Sequence, residues 1–163
     1  MARFTWTTES TVELHAKSSV HPIHGEIHDI RGEANADVSD GRVVGGSGGY
    51  IEADVEALKS GKKLEDIALR KQVEAKKYPV IRYDVRSVTG GPDTFKVDGA
   101  LTFHGVTQQF NEECTARIEG GTLRVEAEHT FDIRDFGVQP FKILSLQVHP
   151  DVQLKLRLVG REG

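Results

Sequence analysis

The sequence predicts an all-β protein with one helix. Three observations predict it: a long two-residue alternation of apolar and polar side chains, a single run of helix-forming composition, and glycine-rich turn signals between the alternating segments. The alternation is cleanest near the C-terminus, where Val152, Leu154, Leu156 and Leu158 alternate with Asp151, Gln153, Lys155 and Arg157. Successive strand side chains point to opposite faces, so this run predicts an antiparallel sheet with one apolar and one solvated surface. Many such strands must bury their apolar faces against one another, and a sheet closed on itself does so while removing its exposed edges. A barrel or a sandwich follows.

Taken in order, Trp6 to Ala16 opens the chain as a strand with Val12, Leu14 and Ala16 on one face. Pro22 and Gly25 interrupt it, Glu26 to Val38 resumes in mixed β character, and Ser39-Asp40-Gly41 is a turn signal. Gly45-Gly46-Ser47-Gly48-Gly49 lacks the spacing of a dinucleotide loop and is followed by strand-like Tyr50 to Val55, which argues against a phosphate cradle. It reads as a flexible crossing or a close backbone approach. The helix is predicted from about Lys62 to Lys76, rich in good helix formers, with Leu64, Ile67, Ala68 and Ala75 on one stripe and Pro79 ending it. Strands and turns follow: Ile81, Tyr83 and Val85; Phe95, Val97, Gly99, Leu101 and Phe103; then Leu123 to Ile133 in alternation. Gly90-Gly91-Pro92-Asp93 and Glu119-Gly120-Gly121 read as hairpin connections.

At 163 residues the chain fits one domain, 1–163, able to bury a core without disulfides. Its single cysteine, Cys114, shares the parity of Phe110, Ala116 and Ile118 and is expected to be a buried, inert thiol. The N-terminal residues show no signal peptide and no apolar run approaches the roughly 18 residues of a spanning helix, so a soluble, cytoplasmic protein is expected. A net charge of −4 argues against a nucleic-acid partner. The charge is uneven: between Glu56 and Arg86 nine basic residues face five acidic ones, giving this segment +4 and the remainder −8. Such a segment is either a solvated helical face or a basic rim turned toward anionic headgroups or a membrane surface.

Enzymatic signatures are missing: the sequence contains no nucleophile elbow, zincin motif or dinucleotide fingerprint, and its carboxylates fall mainly on the solvent parity of strands. No catalytic residue, cofactor or metal site is expected. His21, His24 and His28 do not share one strand face, and nothing acidic sits at an obvious ligand spacing, so they read as loop or surface histidines. His129 differs, because it occupies the apolar parity between Ala127 and Phe131. It is either a core histidine satisfied by Tyr83, a hydroxyl or the backbone, or a group facing a cavity and meeting the polar part of a ligand. Gly99, also on an apolar parity, either bends a strand or leaves room inside.

Several segments together resemble a known family. Val97-Asp98-Gly99-Ala100-Leu101-Thr102-Phe103-His104-Gly105-Val106-Thr107 resembles a strand-and-turn motif of the YceI-like family of lipocalin-like, polyisoprenoid-binding proteins. In the family's order, Gly25 to Gly32, Leu69-Arg70 followed by Lys77-Tyr78-Pro79-Val80-Ile81-Arg82-Tyr83, and Phe131-Asp132-Ile133-Arg134-Asp135-Phe136-Gly137 resemble further motifs, with a looser fit over Ser10 to Lys17. The resemblance runs from about Trp6 to Val159. It implies an extended eight-stranded antiparallel barrel, a helix at its side, and an elongated apolar tunnel for an isoprenoid chain. Two segments depart from the pattern. Lys71-Gln72-Val73-Glu74-Ala75 stands where relatives carry aromatic residues, and Gln139 to Leu146 replaces a glycine-rich loop, adding either a lid or more wall.

Residues and resemblance together predict a non-catalytic carrier or sequestering protein for a long-chain isoprenoid, quinone or comparable amphiphile. The expected lining comes from Leu14 and Ile27, from Val55, from Ile81, Tyr83 and Val85, from Phe95, Val97, Leu101 and Phe103, and from Leu123, Val125, His129 and Phe131. A polar end would meet His129, or a rim lysine or arginine if it is a phosphate. Transient membrane contact and a homodimer are compatible with this reading. Two rivals stand beside it: a fully packed barrel acting as a stress or interaction module, and an enzyme with His129 as base. The enzyme would require a carboxylate or hydroxyl within reach of that imidazole inside the lumen.

Overall fold

Short turns join almost every pair of neighbouring strands, and that local connectivity dictates an up-and-down arrangement. In the computed structural model, which describes residues 2–139, 142–143 and 145–163, the strands are β1 (Ala2–Trp6), β2 (Thr11–Ser18), β3 (Ile23–Ile27), β4 (Ile30–Ser39) and β5 (Arg42–Asp54). The helix α1 (Lys63–Gln72) follows, then β6 (Val80–Gly90), β7 (Thr94–Phe103), β8 (Val106–Glu119), β9 (Thr122–Asp132), β10 (Lys142–Ile143) and β11 (Leu146–Glu162). All pairings are antiparallel.

The sheet closes through eight strands in the order β1-β4-β5-β6-β7-β8-β9-β11, with β11 returning to β1. The expected eight-stranded barrel is therefore present, with two of its staves broken. β1 and β2 occupy successive stretches of the same edge of β11, Trp6 opposite Gly160 and Thr11 opposite Arg157. At the break, the buried Ser10 hydroxyl donates to the Val159 carbonyl (3.2 Å) and accepts from the Val159 amide (2.9 Å), replacing ladder bonds that the bend removes. β3 and β4 likewise follow β2 and β1, and are separated at His28-Asp29. One continuous strand from Trp6 to Ala16 was expected; the break at residues 7–10 lies where turn-forming Thr and Ser interrupt the apolar beat.

The glycine stretch is a close backbone approach. A Cβ on Gly46 would lie 2.5 Å from the Asn35 carbonyl, and one on Gly49 would lie 2.5 Å from that of Glu33, so β5 passes β4 where a side chain cannot fit. At the other end His104 and Gly105 both take left-handed backbone (φ +55° and +73°), as a two-residue hairpin between β7 and β8 requires.

The helix differs from expectation. It ends at Gln72, and its first half is inverted: Leu64 and Ile67 are 70% and 51% exposed, while Glu65 and Asp66 are buried. Asp66 points inward because it accepts from both the Ser60 amide (2.9 Å) and the Ser60 hydroxyl (2.6 Å), tying down the loop that leads into the helix. Of the expected stripe, Ala68 and Ala75 do pack inward, and Leu69 and Val73 take the place of Leu64 and Ile67. Among the described residues no helix is long and apolar enough to cross a membrane.

Candidate functional site

Alternation along the strands turns one face of every stave into the barrel, and the interior is hollow. An upper cavity of about 150 Å³ lies between β4, β5, β6, β7, β8, β9 and β11, and a lower one of about 100 Å³ lies between β2, β3, β6, β9 and the inner face of α1. Both walls are almost wholly apolar, and both volumes are well above the roughly 10–15 Å³ that admits one water. Ile81 lines both cavities and so marks the passage between them.

Most of the residues expected in the lining face these two spaces. Tyr83, Val85, Val97, Leu101, Leu123, Val125 and His129 line the upper cavity, and Leu14, Ile27, Val55, Phe103 and Phe131 the lower, with Ile81 in both. Phe95 does not line either. It is fully buried beneath the β6–β7 turn, where a Cβ on Gly91 would come within 3.2 Å of its ring. Gly99 does not leave room for a guest: the Tyr83 ring crosses it, and a Cβ there would lie 2.5 Å from the Tyr83 hydroxyl and 2.5 Å from the Asp84 carbonyl.

The wall is incomplete on one side. The β8–β9 ladder runs only from Glu119 opposite Thr122 to Cys114 opposite Ala127; below that, β8 pairs with β7 alone and β9 with β11 alone. Side chains close this seam. Phe110 packs on His129 with ring centroids 4.3 Å apart, and Phe110, Phe131 and Phe136 form an edge-to-face cluster with Phe103 at 5.4–6.3 Å. The Tyr83 hydroxyl donates to the Phe110 carbonyl at 2.9 Å. Below the seam, the His104 ring contacts the Phe136 carbonyl through Nδ1 (3.0 Å) and the Glu74 carboxylate through Nε2 (2.7 Å), linking the β7–β8 hairpin to the chain after α1.

An acid and an imidazole of the upper cavity meet at the same seam. Glu112 sits between Phe110 and Cys114 on the inner face of β8, and its carboxyl Oε1 contacts His129 Nδ1. The expected partners of His129 were Tyr83, a hydroxyl or the backbone; the partner is this carboxyl. Glu112 is the residue that sequence reasoning missed. Its even-numbered position with Phe110, Cys114, Ala116 and Ile118 is the signal that places it inside.

Burial pushes the Glu112 carboxyl up to about 7, with the neighbouring Glu113 charge adding to it, and burial pushes the His129 imidazole down. Both shifts favour the uncharged forms, and the two side chains then offer the cavity polar groups without a charge. Burial also pushes the Cys114 thiol up to about 11, so it behaves as the inert apolar side chain expected of it. Arg82, the one cationic residue of the upper wall among the described residues, is held by Glu52 and Asp84 at 2.9 Å each.

The segment Gln139 to Leu146 was expected to add a lid or more wall; Pro140, Phe141 and Leu144 lie outside the described residues, and Lys142–Ile143 pairs with β11.

A closed eight-stranded antiparallel barrel with one helix and apolar cavities inside it has the architecture of a lipocalin-like barrel. The chain belongs to the YceI-like domain family, whose sequence profile matches residues 6–160. Its fold is that of BcnA from Burkholderia cenocepacia (TM-score 0.80, 20% identity, 93% of this chain and 96% of that one). A domain from Saccharophagus degradans, described as polyisoprenoid-binding and implicated in plant cell wall breakdown, also superposes (TM-score 0.79, 14% identity, 100% and 99%). So does the YceI protein of Campylobacter jejuni (TM-score 0.68, 16% identity, 86% and 85%). No curated protein matches the chain in sequence.

Proposed function

We propose that this protein is a non-catalytic carrier for a long-chain isoprenoid with an uncharged polar head, such as a prenol, prenylphenol or quinone. The observation that carries the reading is a hollow apolar lumen whose upper wall holds a single buried acid–imidazole pair. The tail occupies the apolar length past Ile81, where burial is worth about 25 cal/mol per Å² and needs no polar contacts. The head lies at Glu112 and His129, where a carbonyl accepts from the imidazole N–H or a hydroxyl donates to the carboxyl. A phosphate fits poorly there, because Glu112 is itself acidic and the one cation of the upper wall among the described residues, Arg82, is already paired with Glu52 and Asp84. The polyisoprenoid-binding description of the Saccharophagus domain supports the same ligand class.

Loading is assigned to the outer face of α1. The exposed Leu64 and Ile67 sit among Lys62, Lys63 and Lys71, and Lys62 reaches His21, next to the exposed Val20. An apolar spot ringed by lysines suits transient contact with an anionic bilayer, and the inner face of the same helix segment lines the lower cavity through Leu69 and Val73.

Native mass spectrometry of freshly purified protein, followed by organic extraction, tests the proposal. One neutral isoprenoid per chain is expected, lost in Phe103→Asp and Val125→Asp variants that remain folded. A clean apo mass that also ignores added polyprenyl compounds refutes it. One observation favours an enzyme as a second reading, namely the carboxylate within reach of the lumenal imidazole. Turnover of an extracted lipid that stops in Glu112→Gln would establish that reading; retention without turnover supports the carrier.

A further inference from the structure

Outside the barrel, β2 and β3 bring together residues that the sequence keeps apart. Glu13 stands directly opposite Glu26, and His15 directly opposite His24. All four lie on the strand parity opposite Leu14, Gly25 and Ile27 and are part-exposed, with side chains 31–45% accessible, while His15 and His24 also border the lower cavity. His24 Nδ1 is 2.9 Å from His15 Nδ1, and its Nε2 is 3.3 Å from Glu26 Oε1. His15 Nε2 is 3.4 Å from Glu13 Oε2, and His28 Nε2 is 3.0 Å from the second oxygen of Glu26. Donor atoms of Glu13, His24 and Glu26 all lie within 4.8 Å of one another. Glu26 therefore supplies the acidic neighbour that the histidines were expected to lack: it lies two residues from each of His24 and His28, on the same strand parity.

One feature of this cluster is unfavourable as it stands, since directly opposed carboxylates on a sheet repel. A divalent cation relieves it by neutralising Glu13 and Glu26, and the imidazole nitrogens of His15 and His24, 2.9 Å apart, are further ligand atoms beside them. We propose that Glu13, His24 and Glu26, with His15 completing the set, bind a divalent transition-metal ion of the Zn²⁺ type. The mixed imidazole and carboxylate donors select such an ion over Mg²⁺ or Ca²⁺, which favour all-oxygen sites. Zinc bonds of about 2.0–2.2 Å set tetrahedral ligand separations of roughly 3.3–3.5 Å, within reach of small rotations of half-exposed side chains. His28 on Glu26 is the outer partner that orients the carboxylate. The ion would tie β2 to β3 where β3 is the end of the sheet path, and so would stiffen the wall of the lower cavity.

Calorimetric titration of the full chain with ZnCl₂, and with MgCl₂ in parallel, tests the site, and hydrogen exchange gives a second readout. One Zn²⁺ per chain is expected, with affinity at least tenfold weaker in His24→Gln and in Glu26→Gln, unchanged in His149→Gln, and no matching response to Mg²⁺. Amides of residues 23–27 should exchange more slowly with zinc present. Absence of saturable zinc binding, or equal affinity in the His24→Gln/Glu26→Gln double variant, overturns the proposal. Unchanged melting of the variants in metal-free buffer separates loss of the ligand set from loss of the fold. The proposal does not depend on the tunnel's ligand.

Discussion

Gly99 is a residue whose absent side chain is structural. The Tyr83 phenol lies across it to reach the Phe110 carbonyl, and the Asp84 carbonyl approaches from β6. Gly99→Ala should therefore force the β6–β7 ladder apart and cost about 1–3 kcal/mol in chemical denaturation; an unchanged midpoint would mean that the ring moves freely. Glu112 belongs to the same wall. Its carboxyl is raised from 4.5 to about 7, so the folded state holds a proton that the unfolded chain gives up from about pH 4.5. The stability this contributes is full below pH 4.5 and is lost as pH rises through about 7, on the order of 3 kcal/mol. His129 runs the other way: its lowered value gives stability above about pH 6.5 that is lost on acidification. Wild type should thus lose stability relative to Glu112→Gln, whose amide stays neutral, between pH 4.5 and 7, measured by denaturation at each pH. A pH-independent difference would mean that the carboxyl is not buried as described.

At the level of the element, α1 shows why composition alone misleads about orientation. Leu64, Ile67, Ala68 and Ala75 make a plausible apolar stripe, yet Ser60 offers two donors that only an inward Asp66 can accept, and that rotation carries Leu64 and Ile67 into solvent. Asp66→Ala should lower stability by about 1–2 kcal/mol by leaving the Ser60 donors unpaired. Leu64→Asp combined with Ile67→Asp should leave the melting temperature unchanged and abolish co-sedimentation with vesicles rich in anionic lipid. Retained co-sedimentation would remove the helix from the proposed loading step. The broken staves β1/β2 and β3/β4 make a related point, because a strand interrupted for four residues at Thr7 to Ser10 keeps its course through the Ser10 hydroxyl and the Thr7 amide, both bonded to Val159.

For the whole molecule, the question is whether two cavities act as one. Ile81 stands between them, so a long tail must pass it. Ile81→Trp should confine the guest to one chamber and shift the extracted lipid toward shorter chains, read by mass spectrometry; an unchanged chain-length distribution would place the tail elsewhere. The incomplete β8–β9 ladder puts the polar pair and the aromatic cluster at a break in the backbone-bonded wall.

Strand parity was written in the residues themselves. Because side chains alternate with a period of two, the inner faces of β6, β7 and β9, and with them most of the proposed lining, follow from the order of apolar residues alone. The turn at His104-Gly105 and the family motifs are local in the same sense. Position along the tunnel was not legible: Phe95 has the parity of Val97 and Leu101, and only the closed barrel decides that it plugs the end. Nor was pairing across strands, since the partner of a residue depends on register. The contact of Glu112 with His129 and the meeting of Glu13, His15, His24 and Glu26 arise between strands, so one chain read in order carries each group but not its neighbour. The alternation of the sequence determined the barrel and its apolar interior; the tertiary structure alone decided which polar groups meet, because that depends on where staves break, where ladders stop and which strands lie side by side.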